Sequence, residues 1–313
     1  MSISELEHEI RDIINSPRKQ YALRQRRSTW NMLCSCLDTI GDTELALAAY
    51  LEHAEPDDYD DYGERYLVIY GALQTLFVQQ DAVRNLAAAL QIDYSPDPLL
   101  EHIRGIRHDS VGHPTKRGSG EGKAFNFIQR VSLSRAGFTL MKTYSDNRPP
   151  EFVHVNVPDL ICKQRTTLAR VLSDVLDRLK AEEMEHRQQF RGERLQDAFP
   201  PTLGYYFEKI SGATHGSEPA ALAASVVGIV LDCLEQFKRA LQRRDILTAY
   251  DSVNYYLDLI EYPLNELKEF FEKSEDSNLN DRSAYIFAFF VSRHMETLQQ
   301  IAKEIDEEYA SKP

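Results

Sequence analysis

The stretch that decides the fold is Asp97-Pro-Leu-Leu-Glu-His-Ile-Arg-Gly-Ile-Arg-His-Asp-Ser-Val-Gly-His-Pro114, which carries the start and stop signals of a short helix. The opening Asp can cap the first backbone N–H groups, and the Pro after it suits the first helical position. Gly112 can adopt the left-handed conformation that closes a helix, and the final Pro cannot continue one. The stretch therefore predicts a short helix that ends near Val111 and leaves His113 just beyond it.

One face of this predicted helix is apolar but carries an arginine in its middle. At 100° per residue, five apolar side chains share an arc about 140° wide; they are Leu99, Leu100, Ile103, Ile106 and Val111. A guanidinium is always charged and is rarely buried without a partner. Arg107, in the middle of the arc, must therefore be paired, face another subunit or line a polar cleft. A structural ion pair and an anion-binding cleft shared with His113 both fit this pattern.

Arg107 and His113, with five residues between them, resemble the Arg-x4-6-His signature of the HEPN superfamily. The family also tends to place a polar residue directly after the Arg, and His108 occupies that position, where Asn is the commoner choice. The resemblance implies a small helical bundle and a metal-independent ribonuclease that needs no cofactor. A toxin or defence role is the biological function that it would imply.

The resemblance also implies a role for each residue of the motif. Arg107 would bind and neutralise the scissile phosphate of an RNA. His113 would exchange a proton with the 2′-hydroxyl or the leaving oxygen, because an imidazole titrates in the range that this chemistry needs. His108 would be a phosphate donor or a second acid–base group. Asp81, on the preceding helix, is a candidate for orienting one of these side chains.

Basic residues are concentrated around this motif, although the whole chain is acidic, with a formal net charge of −13. Residues 104–148 contain nine basic and three acidic side chains, a local net charge of +6. A basic zone on an acidic body is what a phosphate-binding cleft requires, although runs of charge are also common on solvated faces. Arg104, Lys116 and Arg117 lie near the motif in sequence, and we predict that they contact the substrate.

The remaining periodicities predict a mainly α protein. Apolar residues recur at three and four over residues 64–90, which is typical of a helix packed on a core. Alternation in three runs at about 124–157 predicts a small inserted antiparallel β-sheet. We place an HEPN-like helical bundle with this insert at residues 1–198 and a C-terminal helical domain at residues 199–313. The boundary is placed there because Phe199-Pro-Pro-Thr202 is the clearest break in the pattern.

Metal chemistry is not indicated by the spacing of possible ligands. The four cysteines contain no Cys-x2-Cys pair and no regular spacing, which indicates neither a zinc site nor a disulfide framework. His108, Asp109 and His113 form a cluster of possible metal ligands. At α-helical spacing, however, the two imidazoles point about 120° apart or are separated by the helix end. We predict no metal site.

Other functional classes lack their signatures. The sequence has no dinucleotide-binding fingerprint, nucleophile elbow or His-Glu-x-x-His pair. Its N-terminus has no basic region followed by an apolar core, and the most apolar run, residues 220–231, is too short to span a bilayer. We predict a cytoplasmic protein that does not enter a membrane.

Two functional hypotheses remain at this point. In HEPN ribonucleases two copies of the motif usually meet at a dimer interface, which would explain an Arg on an apolar face. We therefore predict a homodimer through the motif helix, with RNA as its substrate. The alternative is a non-catalytic helical interaction or regulatory module that keeps the fold and uses its acidic surface to bind a basic protein partner.

Overall fold

The computed structural model describes residues 1–54, 61–119, 123–146, 148–272 and 277–310. In these ranges the chain is mainly helical with one small antiparallel sheet, which confirms the predicted mainly α fold with an inserted sheet. The helices are α1 (Ile3–Ile14), α2 (Pro17–Arg24), α3 (Arg27–Glu52), α4 (Tyr62–Ala89), α5 (Pro98–Arg107), α6 (Val157–Gln189), α7 (Leu203–Thr214), α8 (Ala220–Arg243), α9 (Asp251–Glu272) and α10 (Asp281–Ala310).

The sheet lies where the alternating pattern predicts it, between α5 and α6. Its strands β1 (Ala124–Ile128), β2 (Gly137–Tyr144) and β3 (Glu151–Asn156) pair antiparallel in the order β1-β2-β3. Successive side chains of a strand point to opposite faces, and one face carries Phe138, Leu140 and Val155 into a core shared with α3, α4, α5 and α6. The sheet is therefore anchored directly beside the motif helix.

The chain divides into two compact units. One unit comprises Met1–Asn15 and Leu23–Leu179, and the other comprises Ser16–Ala22 and Lys180–Pro313. This division lies inside α6, whereas the sequence pattern places a domain boundary after residue 198. Leu195 and Phe199 already belong to the core of the second unit, together with α7 to α10, so the chain joins that core before the proline pair is reached.

The motif stretch begins as predicted but ends differently. The backbone N–H of Leu99 donates to Oδ1 of Asp97 at 2.8 Å, and α5 follows with Pro98 at its first turn. After Arg107 the chain continues as a π-helix, His108–Gly112. The expectation of a left-handed Gly112 is wrong, since the positive-φ glycines of the described residues are Gly118 and Gly216. The backbone hydrogen bond that closes this turn spans five residues instead of four, and no left-handed glycine of the described residues ends the helix.

Helix α8 has the length and apolar composition of a membrane span. Such a helix is also typical of the core of a soluble bundle, and here a stripe of it is buried inside the second unit. The stripe consists of Ala223, Val226, Val227, Val230, Cys233, Leu234, Phe237 and Leu241. This stripe packs against α7 and α9, which explains part of the apolar composition of α8.

Candidate functional site

The π-helix brings two imidazoles to the same side of the chain. A π-helix closes i to i+5 hydrogen bonds, and here the N–H of His113 donates to the carbonyl oxygen of His108 at 2.7 Å. The two rings are nearly parallel, with centroids 6.1 Å apart and planes 8° from each other. The two imidazoles are therefore stacked, whereas in an α-helix they would point about 120° apart. His108 is half-buried, and His113 is exposed.

Arg107 is fixed beside this pair by a neutral side chain. Its Nε and Nη2 both donate to Oε1 of Gln74, at 3.0 and 2.7 Å. Its Nη1 lies 3.4 Å from Nδ1 of His108, and the guanidinium carbon lies 4.5 Å from the ring centroid of Phe77. The arginine on the apolar arc is thus paired within its own chain, but with an amide. An amide orients the guanidinium without neutralising its charge.

A second guanidinium shares the aromatic ring. The guanidinium carbon of Arg104 lies 4.0 Å from the centroid of Phe77, and its Nη1 donates to Oδ1 of Asp81 at 2.9 Å. Two cations within 6 Å of one ring are stabilised by its negative π face. Asp81 therefore orients Arg104, a predicted substrate contact, rather than Arg107 or either histidine. Arg104 and Arg107 are brought to one place on the surface of α4.

Asp109 connects the π-helix to the sheet. Its side chain is almost fully buried, its Oδ2 accepts from Nζ of Lys142 on β2 at 2.5 Å, and its Oδ1 accepts from Arg117. Arg117 also donates to the carbonyl oxygen of Gly105 at 3.2 Å. Arg117, which the sequence predicts to contact substrate, is therefore already bound to Asp109 of the π-helix. Lys116 is exposed in the following loop, and no contact among the described residues joins it to the imidazoles.

The electrostatic surroundings of His108 favour its neutral form. The pKa of His108 is lowered from its ordinary value of 6.5, first by partial burial and then by the charges of Arg107 and Arg117. A neutral imidazole has one ring nitrogen that donates a hydrogen bond and one that accepts. His108 can therefore accept a proton near neutral pH while guanidinium charge stands beside it.

Sequence reasoning named Asp81 as an orienting residue but missed Gln74, Phe77 and Lys142, which also position the motif. Gln74 and Phe77 lie three residues apart on α4, and Asp81 follows four residues later, so all three share one helical face. That 3-4 spacing is a signal, but polar and aromatic residues on a helix surface are common and do not reveal what they contact. Lys142 gives no sequence signal at all, because its partner Asp109 lies on a distant segment. Within the described ranges, no group of three or more His, Cys, Asp or Glu side chains is placed to hold a metal ion.

Comparison with known proteins gives no relative for this chain. No protein-family model matches the sequence, and neither a curated protein nor a solved structure matches it. We call the cluster of Arg104, Arg107, His108 and His113 the cationic centre, and we infer the function from these residues.

Proposed function

We propose that the chain binds RNA at the cationic centre and cleaves it without a metal, as the HEPN resemblance implies. The observation that supports this best is the grouping made by the π-helix. Arg107 is within 3.4 Å of His108, and the ring of His108 stacks on that of the exposed His113. A fixed cation next to two imidazoles provides one charge for a phosphate and two groups that transfer protons.

The cleavage step uses only the nucleophile that RNA itself carries. The 2′-oxygen attacks the adjacent phosphorus, so that an O2′–P bond forms while the P–O5′ bond breaks. A neutral imidazole takes the proton of the 2′-hydroxyl, and a protonated imidazole gives a proton to the departing 5′-oxygen. The products are a 2′,3′-cyclic phosphate and a 5′-hydroxyl. Arg107 stabilises the negative charge that grows on the phosphate oxygens.

The two histidines differ in a way that suggests their roles. The lowered pKa of His108 keeps its ring neutral near pH 7, so that it is available to accept the 2′-hydroxyl proton. His113 is exposed, and no hydrogen bond among the described residues holds its imidazole, so it is accessible to the leaving oxygen. Arg104 would contact a neighbouring phosphate, because it lies over the same ring as Arg107.

The test is cleavage of a labelled single-stranded RNA by the full chain in EDTA. We expect His113→Ala to lower the rate by roughly 10²- to 10⁴-fold, as for a positioned acid or base. Arg107→Met should lower it by roughly 10²- to 10³-fold, because a charge that stabilises the transition state is lost. Combining them should add little, because both residues serve one transition state. His102→Ala is the matched control, since His102 is an exposed histidine of α5 outside the cationic centre.

A negative result would leave the other functional hypothesis. If the chain leaves the RNA intact with and without divalent metal, and also does not bind it at low salt, the ribonuclease proposal is wrong. The non-catalytic module that binds a basic protein partner would then be the remaining function. If cleavage stops in EDTA and returns when metal is added, the chain is a ribonuclease but the metal-independent step is wrong.

The homodimer remains a proposal that rests on the resemblance. Leu100, Ile103 and Ile106 are buried within their own chain, so the apolar arc does not need a second subunit to cover it. A dimer through α5 would instead bring two cationic centres together. Light scattering on the purified chain tests this, and a monomer at micromolar concentration would contradict it.

A further inference from the structure

The three-stranded sheet exposes a row of apolar side chains on the face opposite the core. Phe127 on β1 pairs in register with Met141 on β2, which pairs in register with Phe152 on β3. Phe127 is 51% exposed and Phe152 is 53% exposed, while Met141 is half-buried between them. The neighbouring row, Ile128, Leu140 and Val153, points the other way and packs on the core.

This row forms a continuous patch rather than scattered single residues. Neighbouring strands lie about 4.8 Å apart, so the two phenylalanines flank the methionine at a separation of about 10 Å. Single exposed apolar residues need no explanation, whereas contiguous ones mark interaction surfaces. In the row that follows, Thr139 is buried with its Oγ1 2.9 Å from Nδ1 of His154, and the imidazole of His154 is exposed. The outer face therefore combines flat aromatic rings with hydrogen-bonding groups.

The segment that forms the sheet has an excess of basic side chains although the chain as a whole is acidic. Between residues 123 and 156 the described side chains include five basic and two acidic ones; they are Lys123, Arg130, Arg135, Lys142 and Arg148 against Asp146 and Glu151. Lys142 is bound to Asp109 on the core side of the sheet, Arg135 is paired with Glu64, and Arg148 is paired with Asp146. Arg130 lies exposed directly after β1 and has no ion pair among the described residues. Such charge is complementary to a polyanion, and exposed rings are complementary to unpaired bases.

We propose that the outer face of the sheet binds single-stranded RNA, with bases stacked on Phe127 and Phe152 and a phosphate near Arg130. The choice of RNA rests on the proposed function, but the surface is separate from the cationic centre. An A-form duplex hides the faces of its bases inside the stack, so this surface selects unpaired strands. It would hold a substrate strand independently of the residues that cleave it.

The experiment measures RNA binding in a chain that carries His113→Ala, so that the RNA stays intact. Fluorescence anisotropy follows a labelled strand of about 12 nucleotides, free or annealed to its complement. We expect Phe127→Ala and Phe152→Ala each to weaken binding of the single strand by roughly 5- to 150-fold. Phe127→Leu should weaken it similarly, and Phe127→Tyr should not, because stacking needs the ring. Val131→Ala is the matched control, since Val131 is 93% exposed beside β1 but outside the row.

Three outcomes would overturn this inference. They are unchanged affinity in the Phe127→Ala Phe152→Ala double variant, equal affinity of Phe127→Leu and the parent, and equal binding of duplex and single strand. A double variant that changes the oligomeric state but not RNA affinity would assign the face to contact between copies of the chain. If the proposed function is wrong, the unsubstituted chain leaves the RNA uncut. That result does not alter the differences in RNA affinity between these variants, so the two failures can be distinguished.

Discussion

A Cβ atom added to Gly112 would lie 2.7 Å from Nη1 of Arg107 and 3.2 Å from Nδ1 of His108. Both separations are shorter than ordinary van der Waals contact, so a side chain at this position would displace the guanidinium and the imidazole. Gly112 is therefore needed for the close approach of the π-turn to Arg107, and its left-handed freedom is not used. The glycine that marks the end of the motif in sequence is part of the cationic centre in space.

We expect Gly112→Ala to impair RNA cleavage while the thermal midpoint of unfolding changes little. The atoms that a methyl group meets are the ends of flexible side chains, which can move without disturbing the core. Gly105→Ala is the control, because a Cβ there has no atom within 4 Å and an Ala stabilises a helix by about 0.5–1 kcal/mol. Equal activity of the two variants would contradict the proposed geometry.

The pH titration of His108 should have a midpoint below 6.5, measured by NMR on its ring protons. Arg107→Met should raise this midpoint, because one of the neighbouring positive charges is removed. It should stay below 6.5, since partial burial is the largest cause of the lowered pKa. A midpoint that does not respond to Arg107→Met would show that the guanidinium is not beside the imidazole in solution.

The lowered pKa of His108 also fixes the direction of its effect on stability. Protonation is easier in the unfolded chain, so the unfolded state binds more protons once the pH falls below 6.5. The stabilising contribution of the neutral ring is fully present above 6.5 and is lost as the pH falls through the folded-state pKa. We expect His108→Gln to flatten this part of a plot of unfolding free energy against pH. A plot of unchanged slope would contradict the prediction.

Asp109→Asn should destabilise the unit that contains the sheet. Removing one partner of a buried ion pair costs about 3–5 kcal/mol, and the loss here should be smaller because Arg117 is 43% exposed. Urea unfolding measures this loss of unfolding free energy. Lys163→Gln is the matched control, since its pair with Asp159 is half-exposed on both sides and should contribute no more than about 0.5 kcal/mol. Equal effects would mean that Asp109 does not tie the π-helix to β2.

RNA affinity should fall steeply as the salt concentration rises. Each phosphate contact on a single strand contributes about 0.7 to the slope of log affinity against log salt. Arg107→Met should lower the slope by about that amount, whereas Phe127→Ala should lower affinity without changing the slope. If Arg107→Met leaves the slope of log affinity against log salt unchanged, the guanidinium makes no phosphate contact.

The sequence by itself determined the class of fold. Apolar periods of three to four gave the helices, and alternation gave the three strands at about 124–157. It also determined where α5 begins, because an Asp cap followed by Pro is a local interaction within one turn. These features depend on neighbours in the chain, which is why residue order was sufficient to predict them.

Only the tertiary structure decided how the motif residues meet. The π-turn that stacks His108 on His113 departs from α-helical periodicity, and it stands where Asp109 is held by Lys142 from β2. Gln74 and Phe77, which set the position of Arg107, come from a helix more than twenty residues away in sequence. Contacts between distant segments leave no periodic pattern, so the geometry of the cationic centre was decided by packing of α4, α5 and the sheet.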